Sequence, residues 1–320
     1  MPASPLIIIN NIAAKARQTW ALVEAALQNS QIQFKRYETA CAGDATARTR
    51  GELRSGRELI AVVGGDGTLS EAAEGFFSFD NSAPAPVNSK ATLAILPAGT
   101  GDDFARGLVG RRAPLDYWLE RFLRYCGDQD IGRLRSVDVL AARCDGYSTP
   151  FICINASTMG IGGETASRVA AQGQFVRQLS GETRFMIAAV GALAVWRERL
   201  VHVTVDERQV ITGPMNLVAV ANGLYAGGGM MLSPDARVDD GKLDVVIASG
   251  LSRAAVVREL PRIHSGGHVY NPKVKLMRGE SVKIETFATS DHLLIEADGN
   301  VRGKTPVEFR VMPRVLRFVV

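Results

Sequence analysis

Three apolar runs near the N-terminus, "LIIIN" from Leu6, "LIAVVGG" from Leu59 and "ATLAILPAG" from Ala91, constrain this chain more than any other feature. Each is apolar almost without interruption, and helical patterns follow at Ala13 to Asn29, Thr68 to Phe77 and Asp102 to Leu108. A strand that does not alternate polar with apolar is buried on both faces, so runs of this kind between helices predict a parallel sheet covered on both sides. Open sheets of that class bind ligands at the carboxyl ends of their strands. The second and third runs end there in glycine turns.

The first turn, "GGDGTLSE", spans Gly64 to Glu71 and predicts a strand, a glycine turn and a helix start, with Thr68 or Ser70 able to cap the helix. Free backbone N–H groups and the positive end of a helix dipole suit a phosphate, and glycine lets that phosphate approach the main chain. The plainer alternative is a βα turn in which Asp66 only caps something. The second turn, Pro97-Ala98-Gly99-Thr100-Gly101, repeats the pattern before a helix from about Asp102. Two such turns in one sheet favour a nucleotide site over two unrelated turns.

After about residue 136 the pattern changes. "LVHVTVDERQVITG", "SVKIETFATSDHLLIEADGNVRG" and "TPVEFRVMPRVLRFVV" alternate with a period of two and are broken by turn residues, which predicts antiparallel strands. The 320 residues suffice for two domains with separate cores. The expected division is 1–135 for an α/β domain, 136–312 for a β-rich domain, and a C-terminal strand at 313–320 that returns to the first. One stretch departs from the β texture: Glu164 to Leu200, with "RFMIAAVGALAVWRERL", reads as an apolar helical segment too short to span a bilayer. It is expected as a core helix rather than one lying near lipid.

Composition excludes several classes. The N-terminus has no basic residue before its apolar run, so neither a signal peptide nor a spanning helix is expected. Cys41, Cys126, Cys144 and Cys153 lack C-x-x-C spacing and are expected as reduced thiols of a cytoplasmic protein. His264 and His268 in "HSGGH" have helical spacing, but the glycines between them disfavour a metal-binding helix. The net charge of +4 is mild, with arginines at 106, 111, 112, 121, 124, 133 and 135, and reads either as solvated faces or as attraction to an anionic membrane or nucleotide. "SPDARVDDGKLDVV" carries Asp235, Asp239, Asp240 and Asp244 without the ligand spacing of an EF-hand.

Taken in order, "GGDGTLSE", "LPAGTGDDFARGL", "GIGGETASRV", "NGLYAGGGMMLSPDARVDDGKLDVV" and "EADGNVRG" resemble the diacylglycerol kinase catalytic family, which includes bacterial lipid kinases and the sphingosine and ceramide kinases. The resemblance runs from Ile7 to the C-terminus. It implies an α/β N-terminal nucleotide-binding domain, NAD kinase/diacylglycerol kinase-like, plus a mostly antiparallel β-sandwich C-terminal domain, with the active site in the cleft between them. It further implies an ATP- and Mg2+-dependent lipid kinase acting on a glycerolipid or sphingoid lipid at a membrane surface, cytoplasmic and peripheral, with no nucleic acid partner. Matched residue by residue, ATP would contact Asn10, Gly64, Gly65, Asp66, Gly67, Thr68, Glu71, Gly99, Thr100 and Asp102, with Asp66 near the nucleotide's magnesium. A structural Mg2+ would be held by Asp240 and the backbone carbonyls of Arg237 and Lys242. The family's base corresponds to Asp298, although Asp-Gly between "HLLIEA" and "NVRGK" is also an ordinary hairpin turn.

The chain departs from the family pattern at four places. Asn10-Asn11-Ile12-Ala13-Ala14 keeps only the first Asn of the usual Asn-Pro-x-Ser-Gly. Ser70 and Asp102 each stand where Asn is usual, and Asn300 stands where the family has Glu. A carboxylate at position 102 would repel phosphate unless a cation lies between, so altered nucleotide or metal preference, or weak activity, is expected. The rival readings are a catalytically silent lipid or nucleotide binder and an NAD kinase-like enzyme. An exposed strand edge of the β domain could pair across a two-fold axis into a homodimer.

Overall fold

The structure is a computed structural model that describes residues 4–11, 13–79, 83–128, 134–144, 150–173, 176, 179 and 181–320, leaving aside the side chains of 181 and 182. Ile12 and Arg133, both considered above, lie outside the described residues. The chain forms two compact units, Met1–Val139 with Pro313–Val320, and Leu140–Met312.

The first unit contains β1 (Leu6–Ile9), α1 (Ala14–Asn29), β2 (Lys35–Glu38), α2 (Asp44–Arg54), β3 (Leu59–Gly64), α3 (Asp66–Glu74), the hairpin β4 (Phe77–Ser78) and β5 (Ala85–Pro86), β6 (Thr92–Pro97), α4 (Asp103–Val109) and α5 (Leu115–Asp128). Strands β2, β1, β3 and β6 lie side by side and parallel, and Arg317 and Phe318 of the C-terminal strand add on parallel to Thr92 and Leu93. Every residue of β1 and β3 is buried, which explains why the sequence there is apolar without alternation. Helix α1 buries Ala16, Trp20, Val23 and Leu27, and α5 buries Trp118, Phe122 and Cys126, each a single stripe at helical spacing.

One sequence expectation is corrected here. The helix after the first glycine turn runs Asp66–Glu74, not Thr68 to Phe77, and its N-cap is Gly65 in an extended conformation. Thr68 and Ser70 are buried within the helix and cap nothing, because the chain turns directly from β3 into the helix. The helix stops at Gly75, where a Cβ would lie 2.6 Å from the Thr49 Cβ of α2. Only glycine permits that approach, and Phe77 beyond it is already strand.

The second unit is an antiparallel β sandwich built from the end of β7 (Leu134–Cys144), β8 (Phe151–Cys153), β9 (Ala156–Gly160), β10 (Arg199–Val205), β11 (Gln209–Ala221), β12 (Leu243–Ser249), β13 (Val274–Gly279), β14 (Ser281–Thr286), β15 (Leu294–Ala297), β16 (Asn300–Lys304) and the start of β17 (Val307–Val319), with helices α6 (Ile161–Ala170), α7 (Gly181–Val195) and α8 (Arg253–Ile263). The order β16-β15-β9-β11-β10-β14-β17 is extended by β12 on β11 and β13 on β12. In β10 the inward residues Val201, Val203 and Val205 alternate with outward ones and join a core that includes Leu140, Val218, Val220, Ile284 and Phe309.

The stretch Glu164 to Leu200 is not one core helix, which corrects the second expectation. It holds the end of α6, all of α7, and the first residues of β10. Helix α7 turns its small residues inward: Ala188 and Ala192 are buried, while Met186, Ile187, Val190 and Val195 are 53%, 48%, 61% and 61% exposed. Its start is tied to the segment just after α6 by two polar bonds, with Gln172 Nε2 donating to the Arg184 carbonyl at 2.7 Å and Arg184 Nε donating to Gln172 Oε1 at 3.1 Å. Small inward residues let the helices approach closely and leave the large apolar ones outside. Among the described residues no helix is long and apolar enough to cross a membrane.

Candidate active site

In the first unit the parallel register pairs Ile9 with Val63 and Gly64 with Pro97, so Asn10 and the two glycine turns emerge at the same carboxyl end. The turns touch through their backbones. A Cβ at Gly65 would lie 3.0 Å from the Gly99 Cα, and one at Gly99 would lie 2.7 Å from the Gly65 Cα. The Ala98 N–H donates to the Gly64 carbonyl at 2.9 Å, which locks the two strand ends together. Asn10 Nδ2 donates to Thr68 Oγ1 at 3.2 Å, bringing the end of β1 onto the first turn of α3. Glu71 is half-buried one turn further on, where its carbonyl accepts the Thr46 hydroxyl.

Asp66 connects the turns. Its Oδ2 and Oδ1 accept the N–H groups of Asp103 and Phe104, each at 3.1 Å, so it caps α4 rather than its own helix. Burial, then the nearby Asp103 carboxylate, pushes its pKa up to about 6, against the pull of those two N–H groups. An acid with a raised folded-state pKa favours the native state most when protonated, so its contribution is complete below pH 4 and is lost as pH rises through 6. A shift from 3.8 to about 6 corresponds to a loss of about 3 kcal/mol across that window. Thermal melts of wild type and Asp66→Asn from pH 4 to 7 are therefore expected to show wild type losing stability relative to the variant as pH rises; a constant difference would contradict this.

Asp102 occupies the left-handed region at φ +51°, and its Oδ1 accepts the Gly99 N–H at 2.9 Å. Two cations face its other oxygen, Lys15 Nζ at 3.9 Å and an Arg112 nitrogen at 3.8 Å from Oδ2. Lys15 also donates to the Gly99 carbonyl, and Arg112 donates to the Thr100 carbonyl at 2.6 Å. The repulsion expected from an aspartate here is therefore offset locally. Several other arginines have local partners: Arg121 lies 3.4 Å from the Tyr117 ring centroid and Arg124 pairs with Glu120 at 2.5 Å.

In the second unit Asp298 and Gly299 form the two-residue turn of the β15–β16 hairpin, closed by the Ala297–Asn300 pair. Both have positive φ, +48° and +86°, the geometry of a type I′ turn. A non-glycine residue in that region costs about 1 kcal/mol, and here its carboxylate is tightly held. Asp298 Oδ2 accepts the Ile154 N–H at 2.9 Å, while Oδ1 accepts the N–H groups of Asn155 at 3.0 Å and Ala156 at 3.2 Å, and the Cys153 thiol at 3.3 Å. Those amides are themselves fixed, because Asn222 Nδ2 donates to the Ile154 carbonyl at 2.7 Å and Asn155 Nδ2 donates to the Tyr225 carbonyl at 2.8 Å. The Cys153 thiol is fully buried, and burial followed by the Asp298 charge holds its pKa well above the usual thiol range.

Next to this turn, Glu296 is largely buried, and burial pushes its pKa up to about 7 against the Thr158 hydroxyl and the Gly299 N–H that bind its charged form, with the Asp298 charge adding to the rise. In the aspartate-rich loop, Asp240 Oδ1 accepts the Lys242 N–H at 3.0 Å and its other oxygen pairs with Arg278. Burial raises Asp244 to about 6, with Arg278 opposing and Asp240 and Asp235 adding. Among the described residues no group of three or more His, Cys, Asp or Glu side chains is placed to hold a metal ion, and in this loop Arg278 lies against both Asp240 and Asp244. Arg237 is exposed and Lys242 half-buried in the same loop. His268, by contrast, is buried with Nε2 3.1 Å from the Leu232 carbonyl.

The model of the diacylglycerol kinase catalytic domain matches residues 4–129, and that of the YegS C-terminal NAD kinase beta sandwich-like domain matches residues 159–320. The chain belongs to the diacylglycerol kinase catalytic family. Members of this family are lipid kinases that use ATP, and so is this chain. It is 28% identical over 293 residues to a diacylglycerol kinase of Staphylococcus carnosus (strain TM300), covering 88% of this chain and 83% of the relative. It is 26% identical over 284 residues to one of Mycobacterium tuberculosis (strain ATCC 25618 / H37Rv), covering 86% and 81%. A crystal structure of a diacylglycerol kinase from Bacillus anthracis str. Sterne has the same fold, with a TM-score of 0.68 at 21% identity over 99% of this chain and 96% of that one. A second crystal structure from that organism gives a TM-score of 0.73, also at 21% identity.

Sequence reading of this lipid kinase left Lys15 and Glu296 without a role, took Arg112 only as one of several arginines suited to an anionic partner and Cys153 only as a reduced thiol, and gave none of their contacts. Nothing in the local sequence signals them, since each acquires its neighbours only through the fold.

Proposed function

We propose that this lipid kinase transfers the γ-phosphate of ATP to the free hydroxyl of a diacylglycerol at a membrane surface. The observation that carries the reading is the backbone contact between the two glycine turns, which turns two phosphate-suited loops into one surface at the carboxyl end of the sheet. The N–H groups at the start of α3 and around Gly99 bind the phosphates, with Lys15 and Arg112 adding positive charge. Asp298 accepts the hydroxyl proton as the lipid oxygen attacks phosphorus. Magnesium, when bound, offsets negative charge on the phosphates. Asp240, with the carbonyls of Arg237 and Lys242, would hold a structural magnesium in exchange for its pairing with Arg278. The choice of diacylglycerol over a sphingoid lipid is supported by relatives that are named diacylglycerol kinases. Mg2+-dependent ADP release with a short-chain diacylglycerol in micelles tests it. Release with sphingosine and none with diacylglycerol would overturn it.

The acceptor lies in a bilayer, and α7 offers the face that would meet it. Met186, Ile187 and Val190 form an exposed apolar stripe, and the helix leads into Trp196 and the arginines 197 and 199. An exposed apolar stripe of this kind beside the exposed Arg197 suits a helix lying in the interface plane of an anionic membrane, whereas Trp196 packs on the sandwich core. Replacing Met186 and Val190 together by Asp is expected to weaken co-sedimentation with phosphatidylglycerol vesicles by more than about tenfold, given roughly 1.5–3 kcal/mol per large apolar side chain buried. Activity on the micellar short-chain substrate would persist. Unchanged vesicle binding would rule this face out.

A further inference from the structure

We propose that Glu296 is a positioning residue for phosphoryl transfer: its carboxylate clasps the Asp298–Gly299 turn to β9 and so fixes where the Asp298 carboxylate lies. This rests on Asp298 acting as the base. The clasp has two arms: Glu296 Oε1 accepts the Gly299 N–H at 2.6 Å, and Oε2 accepts the Thr158 hydroxyl at 2.6 Å. Thr158 is the β9 residue directly opposite Glu296 in the strand register, and the neighbouring Ser157 hydroxyl donates to the Glu296 carbonyl at 2.5 Å.

The turn needs such a brace. Both of its residues have positive φ, and the Gly299 N–H lies outside the β15–β16 pairing, so its acceptor must come from elsewhere. The amides of residues 154–156 hold the Asp298 carboxylate and the Ala156 carbonyl accepts the Asp298 N–H at 3.0 Å, which anchors the first turn residue and leaves the Gly299 N–H to be held by Glu296. Glu296 fixes the other side. The register shift between Ile295 and Glu296 sets one more residue on β16 opposite this position, a local irregularity of the kind that re-aims a side chain beside a functional group. A base must sit within a few tenths of an ångström of its productive position, and a displacement of about 1 Å can cost about 100-fold in rate.

The test is steady-state kinetics of Glu296→Ala, Glu296→Gln and Thr158→Val with ATP and micellar diacylglycerol, alongside Asp298→Asn. Glu296→Ala is expected to lower kcat by about tenfold or more while leaving KM for ATP within about twofold, because an alanine holds neither arm. Glu296→Gln restores most of kcat, since its amide can accept from Gly299 and donate to Thr158. Thr158→Val, which cuts one arm with little change of shape, lowers kcat in the same direction and decides the matter if Glu296→Ala fails to fold. Wild-type kcat in folded Glu296→Ala, or an equal loss in Glu296→Ala and Glu296→Gln, overturns the clasp. Asp298→Asn keeps the two failures apart: if it retains activity, the base reading itself has failed, whereas an inactive Asp298→Asn beside a fully active Glu296→Ala refutes only the positioning role.

Discussion

Asp298→Asn is expected to lower kcat for lipid phosphorylation by about a thousandfold, in the range usual for loss of a positioned general base. Part of the effect would be structural, and the geometry says how large that part is. An asparagine amide keeps one acceptor oxygen but sets an NH2 against backbone N–H groups that now donate to Asp298, so at least one buried donor loses its partner. An unsatisfied buried donor costs about 1–3 kcal/mol of stability, which lowers the melting temperature without unfolding a domain of this size at room temperature. ATP binding provides the separation. It is expected to survive in the variant, because the glycine turns belong to the other unit, whereas a purely structural collapse would remove binding and turnover together.

Gly99→Ala should have the second largest effect, with the opposite signature. Its Cβ would lie 2.7 Å from the Gly65 Cα and 2.7 Å from Asp102 Oδ1, and the first of these is backbone that cannot swing aside. The turns must therefore separate, breaking the bond from the Gly99 N–H to Asp102 and shifting the loop that Lys15 and Arg112 hold. KM for ATP is expected to rise by about 100-fold, the scale of a displacement near 1 Å in a positioned site. Gly127→Ala in α5 is the control, since its Cβ meets nothing within 4 Å. It should be neutral or stabilise by about 0.5–1 kcal/mol. An unchanged ATP KM in Gly99→Ala would show that the contact between the turns does not matter for nucleotide binding.

The sequence was readable where burial or backbone chemistry dictates residue type locally. β1 and β3 are apolar throughout because both faces are covered, and the valines of β10 alternate because one face is. Gly65 between β3 and α3 is visible for a similar reason, since the two turns touch there and crowd a Cβ, whereas one at Gly67 would meet nothing within 4 Å. Direction was harder to read. The composition of α7 suggests a core helix, but hydrophobicity does not say which face a neighbour covers, and here the small residues face inward. Thr68 and Ser70 suit a cap by type, yet the helix begins before either. Asp66 was legible as a capping residue but not as the cap of α4, whose first amides lie 37 and 38 residues away. Asp298 could be read as a turn residue, but the donors around its carboxylate lie 142 to 145 positions earlier in the chain. Such long-range partners leave no local trace.

The most direct measurement is a competition assay: wild type and Asp298→Asn are each incubated with Mg2+, γ-18O-labelled ATP, and vesicles holding equal amounts of diacylglycerol, phosphatidylglycerol, ceramide and sphingosine, with NAD in solution, and products are identified by mass spectrometry. The expected result is labelled phosphate on diacylglycerol with wild type and almost none with the variant. Label on ceramide, sphingosine or NAD in preference to diacylglycerol, or undiminished labelling by Asp298→Asn, would contradict it.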